Sequence, residues 1–229
     1  MKADTIKHDS DYFIKLDKKL VEVFGIPERH CDDPTGFLVR GLLSQNTNDT
    51  NRDRAYKRLK EKFSKWDDVL AADETDIADA IRVAGLAEIR AKRIKGLLMW
   101  LKERNEGRID ASFLLEMPYD KALSLLMGVD GIGLKTAAVF LLFCGGAPIF
   151  PVDTHIKRIM VRLGVFPPKT SADKMIKVLS KVIPDYLHHR FHINLLKLGR
   201  NICTARLANC AECPISKFCE KVNIRLFFR

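Results

Sequence analysis

Apolar residues recur at three- and four-residue steps along nearly the whole of this 229-residue chain, while strict alternation is almost nowhere, so the sequence must be built from helices. Phe13, Leu16, Leu20 and Phe24 set the pattern, and Gly25 with Pro27 ends it. A second apolar stretch, Phe37 to Leu43, runs into the polar segment Ser44-Gln45-Asn46-Thr47-Asn48-Asp49-Thr50-Asn51. A charged amphipathic helix follows through Tyr56, Leu59 and Phe63. Further helices are expected near 74–84, 88–104, 119–127, 134–144, 154–163, 171–183 and 186–200, each bounded by Gly, Pro or an Asp, Ser or Thr cap. No repeat, low-complexity tract or long linker interrupts them, so any two domains must be intimately packed.

Hydrophobic residues make up 47% of the chain, which excludes general disorder. Lys and Arg number 39 against 29 Asp and Glu, a net charge of +10 spread along the whole sequence. That excess favours a polyanionic partner: nucleic acid first, an anionic membrane surface second. The longest apolar run, Ala137 to Val152, is broken by Gly145, Gly146, Pro148 and Pro151, and falls short of the ~20 residues a spanning helix needs. Met1-Lys2-Ala3-Asp4 lacks the apolar stretch of a secretory leader. A soluble intracellular protein, cytoplasmic or nucleoid, is expected. Of the six cysteines, Cys203, Cys210, Cys213 and Cys219 crowd together near the C-terminus. Without a secretion signal a disulfide framework is disfavoured and a metal or cluster site is preferred, with Cys31 and Cys144 read as core or incidental thiols.

The segment from Leu125 to Val139 is an apolar helix end, a tight turn Gly131-Ile132-Gly133, and a new apolar helix beginning Leu134-Lys135-Thr136. The glycines permit left-handed torsions and close approach to another surface. N–H groups at the start of the second helix make an anion site suited to a phosphate. On the turn alone, an ordinary helix corner with a glycine cap would be the simpler reading. Eighteen residues after Gly133 stands Pro151-Val152-Asp153-Thr154-His155-Ile156.

With both strings in place the chain resembles the endonuclease III family of helix-hairpin-helix DNA glycosylases, from Leu43 to Cys219. The resemblance implies that Lys135 attacks C1′ of a damaged nucleotide, displaces the base and forms a Schiff base, after which β-elimination cuts the strand 3′ to the lesion. It implies that Asp153 stabilises the charge developing on the sugar and assists Lys135 with its proton. Asp153 also reads as a helix N-cap, and both roles can hold together. Gly131, Gly133 and Thr136 would face the DNA backbone, and His155 is read as a supporting or phosphate-side residue.

Four thiolates spaced as Cys203-x6-Cys210-x2-Cys213-x5-Cys219 can hold zinc or an iron–sulfur cluster, and chemistry alone does not choose between them. The spacing, with Pro214 after the third cysteine, matches the [4Fe–4S] loop of the family that the chain resembles. Arg206 resembles that loop's contact with the DNA backbone. A duplex base must be flipped out before it is processed. Gln45 then corresponds to the residue that fills the gap and Leu86, after Gly85, to the opposite wedge. Arg90, Lys92, Arg93 and Lys95 could touch phosphates, with a solvated helix face as the alternative.

Gly41 stands where the adenine-mismatch branch carries a glutamate, and Lys135 is missing from the monofunctional branches. Both departures favour a bifunctional glycosylase and DNA-(apurinic or apyrimidinic site) lyase that repairs oxidised or damaged pyrimidines in duplex DNA. A uracil or mismatch glycosylase, or a helix-hairpin-helix protein that only binds DNA, is the alternative. Resemblance to plant 5-methylcytosine demethylating glycosylases is kinship within one superfamily. The expected architecture is all-α: a six-helix barrel domain over 29–148 carrying the hairpin, and a cluster domain from 1–28 plus 149–229, flanking a DNA cleft. A monomer with no membrane partner is expected.

Overall fold

The computed structural model describes residues 6–222, so Met1-Lys2-Ala3-Asp4 and the end of the 149–229 stretch lie outside the described residues. Among these residues the chain is all-α, with one isolated bridge between Cys203 and Ala208. The chain separates into two compact units, Cys31–Gly145 and the remainder, which pairs residues up to His30 with those from Gly146 onward. None of its described helices is long and apolar enough to cross a membrane.

The paired unit holds α1 (Ser10–Phe24), α9 (Thr154–Arg162), α10 (Ala172–Val182) and α11 (His188–Asn201). Asp9 caps α1 by accepting from the Tyr12 N–H, and Gly25 ends it at φ +73°. Phe13, Leu16 and Leu20 form its buried stripe. Phe13 and Phe150 both pack on Phe191 of α11, at ring distances of 6.3 and 5.8 Å. The Asp17 carboxylate, 1% exposed, accepts two bonds from Arg190 at 3.0 and 2.8 Å, so α1 meets α11 through a buried ion pair as well as apolar contact. Asn194 and Lys197 donate to the carbonyls of Gly25 and Phe24, satisfying acceptors that the end of α1 leaves over.

The continuous unit holds α2 (Pro34–Leu43), α3 (Asp49–Lys62), α4 (Trp66–Ala71), α5 (Glu74–Ile81), α6 (Ala87–Arg104), α7 (Tyr119–Met127) and α8 (Leu134–Gly145). That is one helix more than the periodicity suggested: α4 has a single buried residue, Val69, so it is too short to show a repeat. Asp33 caps α2 and Pro34 opens it, while Asn48 caps α3 by accepting from the Asn51 N–H. Leu38, Leu42, Leu59, Ile77, Ile81, Ile94, Leu98 and Phe140 are buried almost completely.

Cys31 and Cys144 correct the sequence reading. They are joined in a disulfide, with their Cα atoms 5.0 Å apart although they stand 113 positions apart in sequence. Nothing near either cysteine in sequence marks the pair, since two thiols so far apart in the chain meet only when the unit closes.

Candidate functional site

The hairpin between α7 and α8 is a small packed object. Val129 and Ile132, 7% and 3% exposed, anchor it beneath, and the Ile132 N–H donates to the Val129 carbonyl at 3.0 Å. Gly131 turns the chain at φ +84°, and a Cβ there would lie 2.7 Å from Cδ of Arg93 and 3.1 Å from Leu42. No other residue could take that position without moving its neighbours. Gly133 differs from the expectation: its φ is not left-handed, and a Cβ there would meet nothing within 4 Å. It stands exposed at the tip, immediately before α8. Lys135 and Thr136 lie half-exposed in the first turn of α8, where the helix dipole ends positive. Gly41 of α2 faces that turn, since a Cβ on it would come within 3.0 Å of the Thr136 methyl. A glutamate at this position would therefore have to enter the space beside Thr136.

Gln45 lies against the hairpin. Its Nε2 donates to the Gly131 carbonyl at 2.6 Å, and its Oε1 accepts from Arg93 at 3.4 Å. Arg93 also reaches Asp130 at 3.2 Å. Together with the hairpin, Gln45 and Arg93 line an open depression of about 500 Å³. Leu86 sits in the left-handed region, φ 50° and ψ 39°, at the start of α6, and is 56% exposed. An exposed leucine in that conformation is costly twice over, in backbone strain and in wetted apolar surface. The basic face of α6 is less solvated than its composition suggested. Arg90 is 3% exposed, which removes it from the candidate phosphate contacts, and Lys95 donates to the Ala72 carbonyl at 2.6 Å. Lys92 is exposed.

Asp153, His155 and Arg206 belong to the other unit. Asp153 is the N-cap of α9, its Oδ1 accepting from the Ile156 N–H at 2.8 Å. The segment before it is pinned, with Val152 1% exposed and the buried His192 ring bonded to the Pro151 carbonyl at 3.0 Å. His155 is half-buried, its Nδ1 3.1 Å from Arg158, and a Cβ on Gly199 would come within 2.8 Å of its own Cβ. Arg206 is exposed.

The thiols of Cys203, Cys210, Cys213 and Cys219 are all free and half-buried. Burial pushes the Cys213 thiol up to about 11, with the other three cysteines adding to the rise, so the four sense one another electrostatically. Among the described residues no three His, Cys, Asp or Glu converge closely enough to grip a single ion. The residue that organises the loop is Arg162, which the sequence reading did not single out. It is 8% exposed and donates to Sγ of Cys203 at 3.1 Å and to the carbonyls of Cys203, Thr204 and Ala205 at 3.3, 2.7 and 3.3 Å. Arg158 adds a bond to the Cys203 carbonyl at 3.0 Å. A desolvated guanidinium against a thiol loop suits a group of thiolates carrying net negative charge. Four free thiols on one loop, the first of them bonded by Arg162, have the donor chemistry of a thiolate ligand set, although their side chains do not converge on one point.

Residues 39–185 match the family described as HhH-GPD superfamily base excision DNA repair protein. Endonuclease III of Thermotoga maritima is 30% identical over 207 residues, which cover 90% of this chain and 91% of that relative. An Arabidopsis thaliana protein, whose name places it provisionally among DNA glycosylases, is 36% identical over 81% of this chain, and the chain spans 66% of its length. The solved structure of a non-covalent endonuclease III–DNA complex superposes with a TM-score of 0.80 at 28% identity, covering 93% of this chain and 96% of that one.

Proposed function

This chain belongs to the HhH-GPD superfamily of base excision DNA repair proteins, and on that premise we propose that it is a bifunctional glycosylase and abasic-site lyase acting on damaged pyrimidines in duplex DNA. The observation that carries the reading is the placement of Lys135 in the first turn of α8, directly behind the exposed Gly133 tip. Backbone N–H groups at that helix start suit a DNA phosphate, and a glycine tip lets the strand approach the backbone closely. A first-turn lysine stands at the positive end of the helix dipole, and the reaction needs a nucleophilic amine at this place.

In the proposed sequence the Lys135 amine attacks C1′ as the C1′–N bond to the base breaks. The base leaves with its bonding electrons and takes up a proton. The sugar ring then opens as the C1′–O4′ bond breaks, O4′ taking up a proton to become a hydroxyl while the Lys135 nitrogen and C1′ form the Schiff base, and removal of a C2′ proton expels the 3′ phosphate by β-elimination. The Asp153 carboxylate stabilises positive charge at the sugar while its own cap bond holds it in place. Leu86 and Gln45 enter the duplex when the base leaves the stack, with Gly131, Thr136, His155 and Arg206 on the backbone side.

Cys203, Cys210, Cys213 and Cys219 would hold a [4Fe–4S] cluster, whose contribution is to fold and position the loop carrying Arg206. The partner is double-stranded DNA bearing a damaged base or an abasic site, met by a monomer.

A panel of duplexes, each with one lesion, tests the reading by measured base release and strand cleavage. Oxidised pyrimidines should be released and the strand cut 3′ to them. Release of uracil or a mismatched base alone would move the protein to the alternative specificity, and binding without release would make it a DNA-binding module.

A further inference from the structure

Arg90 lies near the start of α6 and is 3% exposed, the most buried of the basic residues in that stretch. Its guanidinium donates through Nη1 to the Ala84 carbonyl and through Nη2 to the Gln45 carbonyl. Its own backbone N–H donates to the Leu86 carbonyl at 3.0 Å. One side chain thus grips two stretches of backbone far apart in sequence, the turn at Gln45 and the end of the short 3-10 helix Arg82–Ala84. Each is followed within two residues by a residue at positive φ that is not glycine: Asn46 at 52° and Leu86 at 50°. Such conformations persist only where the surroundings over-determine them.

The chemistry of the grip suits arginine. A guanidinium is a planar fork with two Nη atoms at fixed separation, one for each carbonyl, whereas an ammonium is a compact charge on a flexible stem that fixes the two carbonyls with less geometric constraint. Burial lowers the basicity of Arg90, so the site keeps a charged group where an apolar one would be less costly to bury. The bonds are to backbone, not to the side chains of Gln45 or Leu86. Gln45 can therefore leave the Gly131 carbonyl and swing out while its loop stays anchored.

We propose that Arg90 is a positioning residue that locks the Gln45 loop to the Leu86 loop, so that the two insertions into the duplex act as one device. This rests on the glycosylase reading above.

The test is a double-mutant cycle read by affinity for a duplex carrying a tetrahydrofuran abasic analogue opposite 2-aminopurine, whose fluorescence also reports unstacking. Gln45→Ala and Leu86→Ala should be non-additive in the wild-type background, by about fivefold or more. In the Arg90→Lys and Arg90→Met backgrounds the same two changes should become additive within about twofold, and the fluorescence amplitude should fall. Additive effects in the wild type, or coupling retained in both Arg90 variants, overturns the proposal. Loss of the fold in both variants also overturns it, by reducing Arg90 to a core residue. No preference for the abasic duplex over undamaged duplex overturns the glycosylase reading and the coupling together. Preference with additive effects overturns the coupling alone.

Discussion

At the scale of single residues, the proposed reading gives Asp153 a second, separable function beside its cap. Its cap bond to the Ile156 N–H uses one carboxylate oxygen, and an amide oxygen could make the same bond. Asn caps about as well as Asp, so Asp153→Asn should keep thermal stability within a few tenths of a kcal/mol. Base release should nevertheless slow by about 10²–10³-fold, the usual cost of losing one preorganised electrostatic group. Single-turnover rates on a lesion duplex, beside a melting curve, check both halves; a near-normal rate would make Asp153 a cap and nothing more. The turn at Gly131, the first-turn position of Lys135 and the cap of Asp153 were legible in the sequence because those signals are local, whereas the catalytic roles proposed for Lys135 and Asp153 rest on family resemblance. Gln45 against Gly131, and Arg162 against Cys203, were not legible. Those contacts join residues that only the closed fold brings together, and nothing in a neighbouring position announces them.

At the scale of elements, the cysteine loop from Cys203 to Cys219 has almost no regular structure of its own, one short helical turn at Ser216–Phe218 and one bridge. Its order comes from Arg162, Arg158 and whatever the four thiolates hold. With a [4Fe–4S] cluster the protein should be brown, with broad absorption near the blue and four irons per chain. Cys203→Ala should bleach the protein and lower its melting temperature more than it changes the chemistry of the molecules that remain folded. A colourless preparation containing one zinc per chain would contradict this. Helix α4 teaches the opposite lesson about legibility, since an element of one and a half turns with one buried residue has too few positions for any periodicity to be read.

At the scale of the whole molecule, the disulfide closes the continuous unit at both its ends, since Cys31 is its first residue and Cys144 its last but one. Closing a loop whose ends stand 113 positions apart stabilises by roughly 5 kcal/mol in the chain-entropy account. Cys31→Ser should therefore lower the melting temperature by on the order of 10 °C. Lyase activity at low temperature should be unchanged, because Cys144 lies at the far end of α8 from Lys135. An unchanged melting temperature would show that the bond constrains little. The excess of basic residues, 39 against 29, is the whole-molecule property most directly tied to a polyanionic partner, and the all-α class followed from periodicity alone. Narrower than either is the role proposed for the hairpin, to present Lys135 to the sugar. The most direct measurement is to trap the protein on abasic-site duplex with borohydride, digest the reduced adduct and locate the modified residue by mass spectrometry. The account predicts the sugar remnant on Lys135 and no adduct from Lys135→Gln. An adduct on any other amine, or trapping that survives in Lys135→Gln, would contradict it.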